Sequence, residues 1–464
     1  MKHLVLLTLL PALAALPGCA QEETAVYIPY SPQQTKTEAR LWNDPVWKTP
    51  YRPALGEDEK VAGLSKFWAE AKYNFAFFDH VPRLSWDSLY LATIPKVRAA
   101  PTTAAYYQVL QEMCAQLHDG HTNVFAPENK ESTGALSARP PLRTALVEGQ
   151  VLLTEVRSAA LRRQGLVPGL AIVAIDGVPV RQYGQQRAVA YSASTPQDRD
   201  VRTYTYQLLN GAADHPVELT LQDAQGRTFR QRVARGGYPD AEPPKRPPLL
   251  EVKMLPGNVA YVALNSFEND SLPQLFAAAY PRISQARALI FDVRANGGGN
   301  GGLGFDVLSY LTARPFRTSR WMTRDYHPAF RAWGRAPRWY SQPLDSVAAR
   351  GAAPYAGPVV VLTSARTFSA AEDFAVAFDE MRRGTIIGEP TGGSTGQPLF
   401  FSLPGGGGAR VCSKRDSYAD GKDFVGVGVQ PRVLVRPTVR DVRRGRDTVL
   451  EAALKELKAQ AKTD

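Results

Sequence analysis

Residues 359–378 read VVVLTSARTFSAAEDFAVAF, and the reading of this stretch decides the fold. Val359 to Leu362 is a run of four apolar residues ending at a polar turn, the pattern of a strand buried on both faces. From Ser369 the period changes. Ala371, Phe374, Ala375 and Phe378 recur at helical spacing and make one apolar face. A strand running straight into a helix is the unit of an α/β sheet. Val259–Leu264, Ala288–Val293 and Thr385–Ile387 read as further buried strands with helical stretches between them. The chain from Leu249 onward is therefore predicted to form a mostly parallel or mixed sheet flanked by helices.

In such sheets the loops after strand ends build the sites, and two loops qualify. One is Thr363 to Ser369. The other, residues 292–302, reads DVRANGGGNGG. Its glycines expose backbone N–H groups at a concave turn, which suits phosphate or a developing oxyanion. A phosphate loop brings a Lys-Ser/Thr pair, and none follows here. Ser369 is either an N-cap, with Glu372 three residues on completing a capping box, or a nucleophile. The residues of this loop alone leave both readings open.

Upstream, Glu57 to Leu117 has helical periodicity, with Phe67, Ala71, Phe75 and Phe78 in one set and Tyr107, Leu110, Met113, Cys114 and Leu117 in another. It closes on Asp119-Gly120-His121-Thr122. Arg143 to Arg235 carries the shorter alternating runs of a small β-domain, Val151–Val156, Ala171–Ile175 and Val217–Leu221. Gly236 to Pro248 has five prolines and reads as a semi-stiff linker.

Composition narrows the classes. A chain of 464 residues exceeds one ordinary core and implies two or three domains. With 44% hydrophobic and 21% charged residues it is not a disordered chain. The formal net charge is +11, but the basic residues are scattered, so no nucleic-acid partner is expected. Of the three cysteines, Cys114 and Cys412 stand far apart in sequence, where one disulfide or two buried thiols both fit. No histidine or cysteine spacing suits a metal; His118 and His121 lack carboxylates in register.

At the N-terminus, Met1-Lys2-His3 precedes an apolar stretch, Leu4 to Leu16, the length of a secretory signal's apolar region. Leu16-Pro17-Gly18-Cys19 resembles a bacterial lipobox. That resemblance implies a signal peptide over residues 1–18, lipidation of Cys19 and an extended tether from Ala20 to about Lys36. The expected location is the cell envelope, with the chain anchored to the outer membrane on its periplasmic side or at the cell surface.

The ordered set of motifs carries a second resemblance. Asp119-Gly120-His121-Thr122, Asp292-Val293-Arg294 with its glycines, Ser369-Ala370-Ala371-Glu372, Gly388-Glu389-Pro390-Thr391 and Gly426-Val427-Gly428-Val429-Gln430-Pro431 resemble the tail-specific (C-terminal processing) serine peptidases. The histidine motif is similar to that of the tricorn-core branch. Gly165 to Gly177 resembles the carboxylate-loop side of a PDZ domain. The resemblance spans roughly residues 60 to 440.

It implies a multidomain α/β protein. After a tether over 19–56 come a helical N-terminal section over 57–135 and a PDZ-like β-domain over 136–236. A linker over 237–250 precedes a crotonase-like catalytic core with a mixed sheet over 251–440, and a C-terminal helix occupies 441–464. Carried over by position, Ser369 is the nucleophile, with the amides of Gly298 and Ala370 as the oxyanion hole. Gly169, Leu170 and Ala171 would bind a substrate carboxylate. The partner is a peptide or protein substrate, and no metal or organic cofactor is implied.

Two departures matter. The processing branch pairs its serine with a lysine whose place falls on Ser394 here, so the base moves to His121. The tricorn core has a bridging serine beside its histidine where this chain has Gly120. Asp423 is the first candidate for the acidic partner of His121, with Asp119 and Asp420 open; Glu372 is assigned to its cap. The rival expectation is a non-catalytic lipoprotein scaffold or a hydrophobic-ligand or peptide carrier on the same fold.

Overall fold

The computed structural model describes residues 28–127, 137–343, 346–350 and 353–460, in two compact units divided after Asp44. The signal segment and the lipidation of Cys19 lie outside the described residues. In the first unit, the tether expected to run extended turns helical at Pro32–Trp42. Ser31 and Gln34 form a reciprocal capping box there, and Pro32 at the first helical position already has helical φ.

The second unit opens with helices Glu57–Asn74, Trp86–Ala99 and Thr103–Ala115. They bury Phe67, Ala71, Tyr107, Leu110, Met113 and Cys114 at the helical spacing the sequence predicts, and Leu64 and Tyr106 beside them. The turn beyond Ala115 carries His121 into a short strand, β1 (Asn123–Phe125). Next come β2 (Leu142–Val147), β3 (Gln150–Val156), β4 (Ala171–Ile175), β5 (Val178–Pro179), β6 (Val217–Gln222) and β7 (Thr228–Val233). These pair antiparallel in the order β2-β3-β4-β6-β7, with β5 on β4, around a core of their own that includes Val151, Leu153, Leu219 and Leu221.

This sheet corrects one sequence expectation. Gly169, Leu170 and Ala171 are buried and do not form an open carboxylate loop. The Gly169 amide donates to the Leu153 carbonyl, and β4 has a strand on each side. Arg443 also donates its Nε–H to the Gly169 carbonyl, so the helix Val439–Arg443 covers that corner.

The larger sheet uses β8 (Leu250–Leu255), β9 (Val259–Leu264), β10 (Ala288–Asp292), β15 (Val359–Thr363), β16 (Thr385–Gly388) and β20 (Val433–Leu434). Between β10 and β15 lie β11 (Phe316–Arg317), β12 (Arg320–Asp325), β13 (Arg338–Ser341) and β14 (Ser346–Val347). Between β16 and β20 lie β17 (Pro398–Leu403), β18 (Gly407–Cys412) and β19 (Lys414–Ser417). The order is β20-β16-β15-β10-β9-β8, parallel from β20 to β9 with β8 antiparallel at the edge, so the predicted mixed sheet is present.

Every residue of β10 and β15 is buried, as strands covered on both faces require. Val359 and Val361 join the core under helix Ala370–Glu380, with Phe291 and Phe374. Val360 and Leu362 face the other way, against Val449, Ala453 and Leu457 of helix Thr448–Gln460. Three layers result. Phe374 has no exposed surface; truncation to Ala would cost about 3–5 kcal/mol.

Candidate active site

β15 ends at Thr363 and the helix begins at Ala370, so residues 364–369 must reverse direction in a tight space. Side chains pin this loop to its neighbours. Thr367 Oγ1 donates to the Val293 carbonyl, Ser364 Oγ to the Arg294 carbonyl, and the Phe368 amide to the Asn296 carbonyl. The two glycine- and serine-bearing loops are thereby fastened together. Ser369, at the apex, has φ 57° and ψ −131°, a region L-residues avoid. The strain, of order 1–3 kcal/mol, is held by the surrounding bonds.

In that conformation Ser369 Oγ does not cap the helix. It lies 3.0 Å from His121 Nε2. The other half of the expected capping box is present, since the Ser369 amide donates to Glu372 Oε2 at 3.1 Å. Glu372 does more than cap. Fully buried, it also accepts from the amides of Gly393 (2.7 Å) and Ser394 (2.8 Å) and is bonded to Thr391 Oγ1. Burial pushes its carboxyl up to about 8 against the pull of these donors. One carboxyl thus holds the Ser369 turn and the loop after β16.

That loop supplies the partner of His121. Ser394 Oγ lies 2.8 Å from His121 Nδ1. In the tautomer where Nε2 accepts from Ser369 Oγ, the imidazole proton is on Nδ1 and is donated to Ser394 Oγ. The imidazole also stacks on Phe368, with ring centroids 4.8 Å apart and planes 12° from parallel. The Asp-Gly-His turn is held by residues remote in sequence. The Gly120 amide donates to Ser194 Oγ, and its carbonyl accepts from Arg202 Nη2 at 3.1 Å and Arg410 Nη2 at 3.4 Å. His121 is 3% exposed. Burial first, then the charges of Arg410, Arg202 and Lys414, hold its pKa well below the ordinary imidazole value.

The candidate acidic partners are elsewhere, which corrects the assignment of Asp423. Its carboxylate pairs with Arg415 at 3.1 Å. Asp420 accepts from the Lys422 amide. Asp119 is buried but accepts from Thr122 Oγ1 at 2.6 Å and from Ser194 Oγ. A hydroxyl, not a carboxylate, faces Nδ1. Nor, among the described residues, is any lysine hydrogen-bonded to Ser369, and Lys414 is paired with Asp416 at 2.9 Å.

Gly298 also differs from expectation. Its amide donates to Asn296 Oδ1 at 2.8 Å and so is not free to meet an oxyanion in this geometry. The need for glycine there is steric. A Cβ would stand 2.6 Å from Ser369 Cβ and 3.0 Å from the Ala370 nitrogen. The Ala370 amide, first of its helix, has no intrahelical acceptor and lies beside Ser369.

Sequence reasoning missed Ser394 as a partner because it registered that position only as a missing lysine. The one available signal was Gly120. A Cβ at that glycine would come 2.9 Å from Ser394 Oγ and 2.8 Å from Asp198 Oδ2, so the absent side chain leaves room for Ser394. Cys114 and Cys412 are free, buried thiols. Among the described residues no three His, Cys, Asp or Glu side chains gather to hold a metal ion, and no helix is long and apolar enough to cross a membrane.

Residues 258–435 match the family model of peptidase family S41. A carboxyl-terminal-processing protease of Synechocystis sp. is 25% identical over 359 residues, covering 75% of this chain and 76% of that protein. The chloroplastic C-terminal processing peptidase of Tetradesmus obliquus is 26% identical over 380 residues, covering 76% of this chain and 73% of its own. The solved structure of mature CPAF complexed with lactacystin shares the fold. Its TM-score is 0.68 at 15% identity, over 88% of this chain and 98% of that one.

Proposed function

We propose that this chain, whose residues 258–435 match peptidase family S41, is a tail-specific serine peptidase that cleaves peptide bonds through an acyl-enzyme at Ser369, with His121 as general base. The observation that carries this reading is the 3.0 Å approach of Ser369 Oγ to Nε2 of a buried imidazole. As Oγ attacks a peptide carbonyl, His121 Nε2 takes its proton. The imidazolium keeps its Nδ1–H on Ser394 Oγ, and the Ala370 amide meets the oxyanion. His121 then returns the proton to the leaving amine, and a water activated the same way hydrolyses the ester.

The kinship with C-terminal processing enzymes supports unstructured protein C-terminal regions as the substrate class. Lipid attachment at Cys19 places the enzyme in the envelope under the same proposal. The test incubates the chain with unstructured peptides beside Ser369→Ala and His121→Ala. Both variants are expected to lose cleavage. Equal cleavage by wild type and both variants would reject the assignment. Labelling with a radioactive fatty acid, lost in Cys19→Ala, tests the anchor; a label that persists in the variant excludes it.

A further inference from the structure

The hairpin of β12 and β13 carries a surface that the catalytic reading does not use. The segment joining the two strands and β13 itself are exposed; of residues 326–340 only Phe330 is half-buried. β13 is the outer strand of the sheet β13-β12-β19. Residues 326–340 read YHPAFRAWGRAPRWY, with five aromatic residues, three arginines and no acidic residue. Basic residues scattered along the rest of the chain concentrate around this stretch, with eight arginines against two aspartates in residues 314–350. Trp333 is 66% exposed, and Tyr326, Trp339 and Tyr340 are exposed beside it in sequence or across the hairpin. So many large rings in water mark a surface that meets something.

The stretch is folded, not a loose loop. Pro328 opens a helical turn to Ala332, the Trp333 amide donates to the Ala329 carbonyl and the Arg335 amide to the Phe330 carbonyl. The Arg335 guanidinium lies 4.7 Å from the Phe330 ring centre and 5.2 Å from that of Trp333. Arg338 pairs with Asp325 at 2.5 Å and also lies over Phe330. Rings and guanidiniums thus share one layer.

We propose that this hairpin tip seats on a bilayer surface containing anionic phospholipid. Tryptophan and tyrosine combine an apolar ring with a polar edge, which suits the headgroup level of a membrane. Arginine lays its stem along apolar surface while its guanidinium meets phosphate. The charge of the stretch selects an anionic partner. It also disfavours a second copy of this chain, since a two-fold contact sets the same arginines against each other. Single-stranded nucleic acid is held in a groove that tracks its backbone, whereas this surface is an edge strand and a turn. The contact is interfacial, because no helix among the described residues is long and apolar enough to cross a membrane. The proposal goes beyond the catalytic reading and rests on neither Ser369, His121 nor lipid at Cys19.

The experiment places an environment-sensitive nitrobenzoxadiazole label at Ala332→Cys in the full chain carrying Cys19→Ser; Cys114 and Cys412 are buried. The label reports the tip itself, so adsorption through the apolar stretch Leu4 to Leu16 is not counted. Vesicles of phosphatidylcholine with about 30% phosphatidylglycerol should raise and blue-shift its emission, and phosphatidylcholine alone should not. Arg331→Gln with Arg335→Gln should weaken the vesicle titration roughly thirtyfold, about fivefold for each arginine near an anionic surface. Added salt should weaken it in the same direction. Trp333→Ala with Trp339→Ala should remove the blue shift. All four positions are exposed, so cleavage of a soluble unstructured peptide should stay within about twofold of wild type. Equal response to the two kinds of vesicle overturns the proposal, as does a response untouched by both variant pairs. An equal response from the same label at Ala224, exposed in the β6–β7 turn, shows adsorption without a seated tip and also overturns it. A single-stranded oligonucleotide bound as tightly as the anionic vesicles reassigns the tip to nucleic acid. A dimer in sedimentation that Trp333→Ala dissociates reassigns it to a second copy. Either result overturns the membrane assignment.

Discussion

His121 Nδ1 stands 2.8 Å from the hydroxyl of Ser394, where a histidine base commonly faces a carboxylate. A hydroxyl can fix the tautomer and the ring orientation by accepting the Nδ1–H. It cannot stabilise the imidazolium with a full charge. Ser394→Ala should therefore lower kcat about 10- to 100-fold with little change in KM, because orientation is lost while substrate contacts are not. It leaves a buried N–H without an acceptor, which should cost about 1–3 kcal/mol in a urea melt. An unchanged kcat would show that Phe368 stacking alone orients the ring.

Gly120 is the counterpart of that serine. Its side-chain position is already taken by Asp198 Oδ2 and Ser394 Oγ, at 2.8 and 2.9 Å from an ideal Cβ. Gly120→Ala should push Ser394 off Nδ1 or displace the Asp198–Arg202 pair, destabilising by about 1–3 kcal/mol and lowering kcat. The double variant Gly120→Ala/Ser394→Ala should lose less than the sum of the two, since the clash with Oγ is gone. Additive losses in thermal unfolding would deny the coupling.

Ser369 holds φ 57° and ψ −131°. Alanine in its place keeps the strain, while glycine relieves it. Ser369→Gly and Ser369→Ala should both be inactive, but the glycine variant should be as stable as the alanine variant or more so, by up to about 2 kcal/mol. This margin allows for the extra unfolded-state entropy of glycine, roughly 0.4–1 kcal/mol. Differential scanning calorimetry checks the ordering, and the reverse order would show an unstrained turn.

The sequence made the catalytic sheet legible because its strands are continuous apolar runs. β9 is bounded as predicted, and β10, β15 and β16 are each within one residue of the prediction. Ser369 and His121 were legible as members of an ordered motif set. What joins them was not. β1 pairs with β18, Asn123 opposite Arg410, a register no local pattern encodes. Ser394 reaches His121 across 273 positions, so the partner sought among acidic residues proved to be a serine. The Gly298 amide was misread for a local reason: Asn296 closes a turn on it two residues away.

Glu372 ties the two catalytic loops to one carboxyl. Its Oε2 accepts from Ser369 and Ser394 and its Oε1 from Gly393. Glutamine has one carbonyl oxygen, so Glu372→Gln sets an NH₂ against at least one backbone donor. The expected loss is about 2–4 kcal/mol of stability, with kcat falling because Ser394 shifts. A glutamine variant as stable and active as wild type would reduce Glu372 to a helix cap.

The pH profile follows from the position of His121. The base must be neutral to take the Ser369 proton. Burial, then Arg410, Arg202 and Lys414, depress its pKa well below the ordinary 6.5. The acid limb of kcat/KM should accordingly fall below pH 6.5. The same depression sets the sign of the stability change. Between the depressed pKa and 6.5 the unfolded chain binds more protons at this residue than the folded one. Its contribution is therefore present above the unfolded pKa and is lost as pH falls toward the folded one. Arg410→Gln removes the neighbouring cation that contributes most after burial, and it should move the acid limb upward. The measurement is kcat/KM from about pH 4 to 9 for both proteins at constant ionic strength. A wild-type limb at or above 6.5, or an unmoved limb in the variant, would place the titrating base elsewhere.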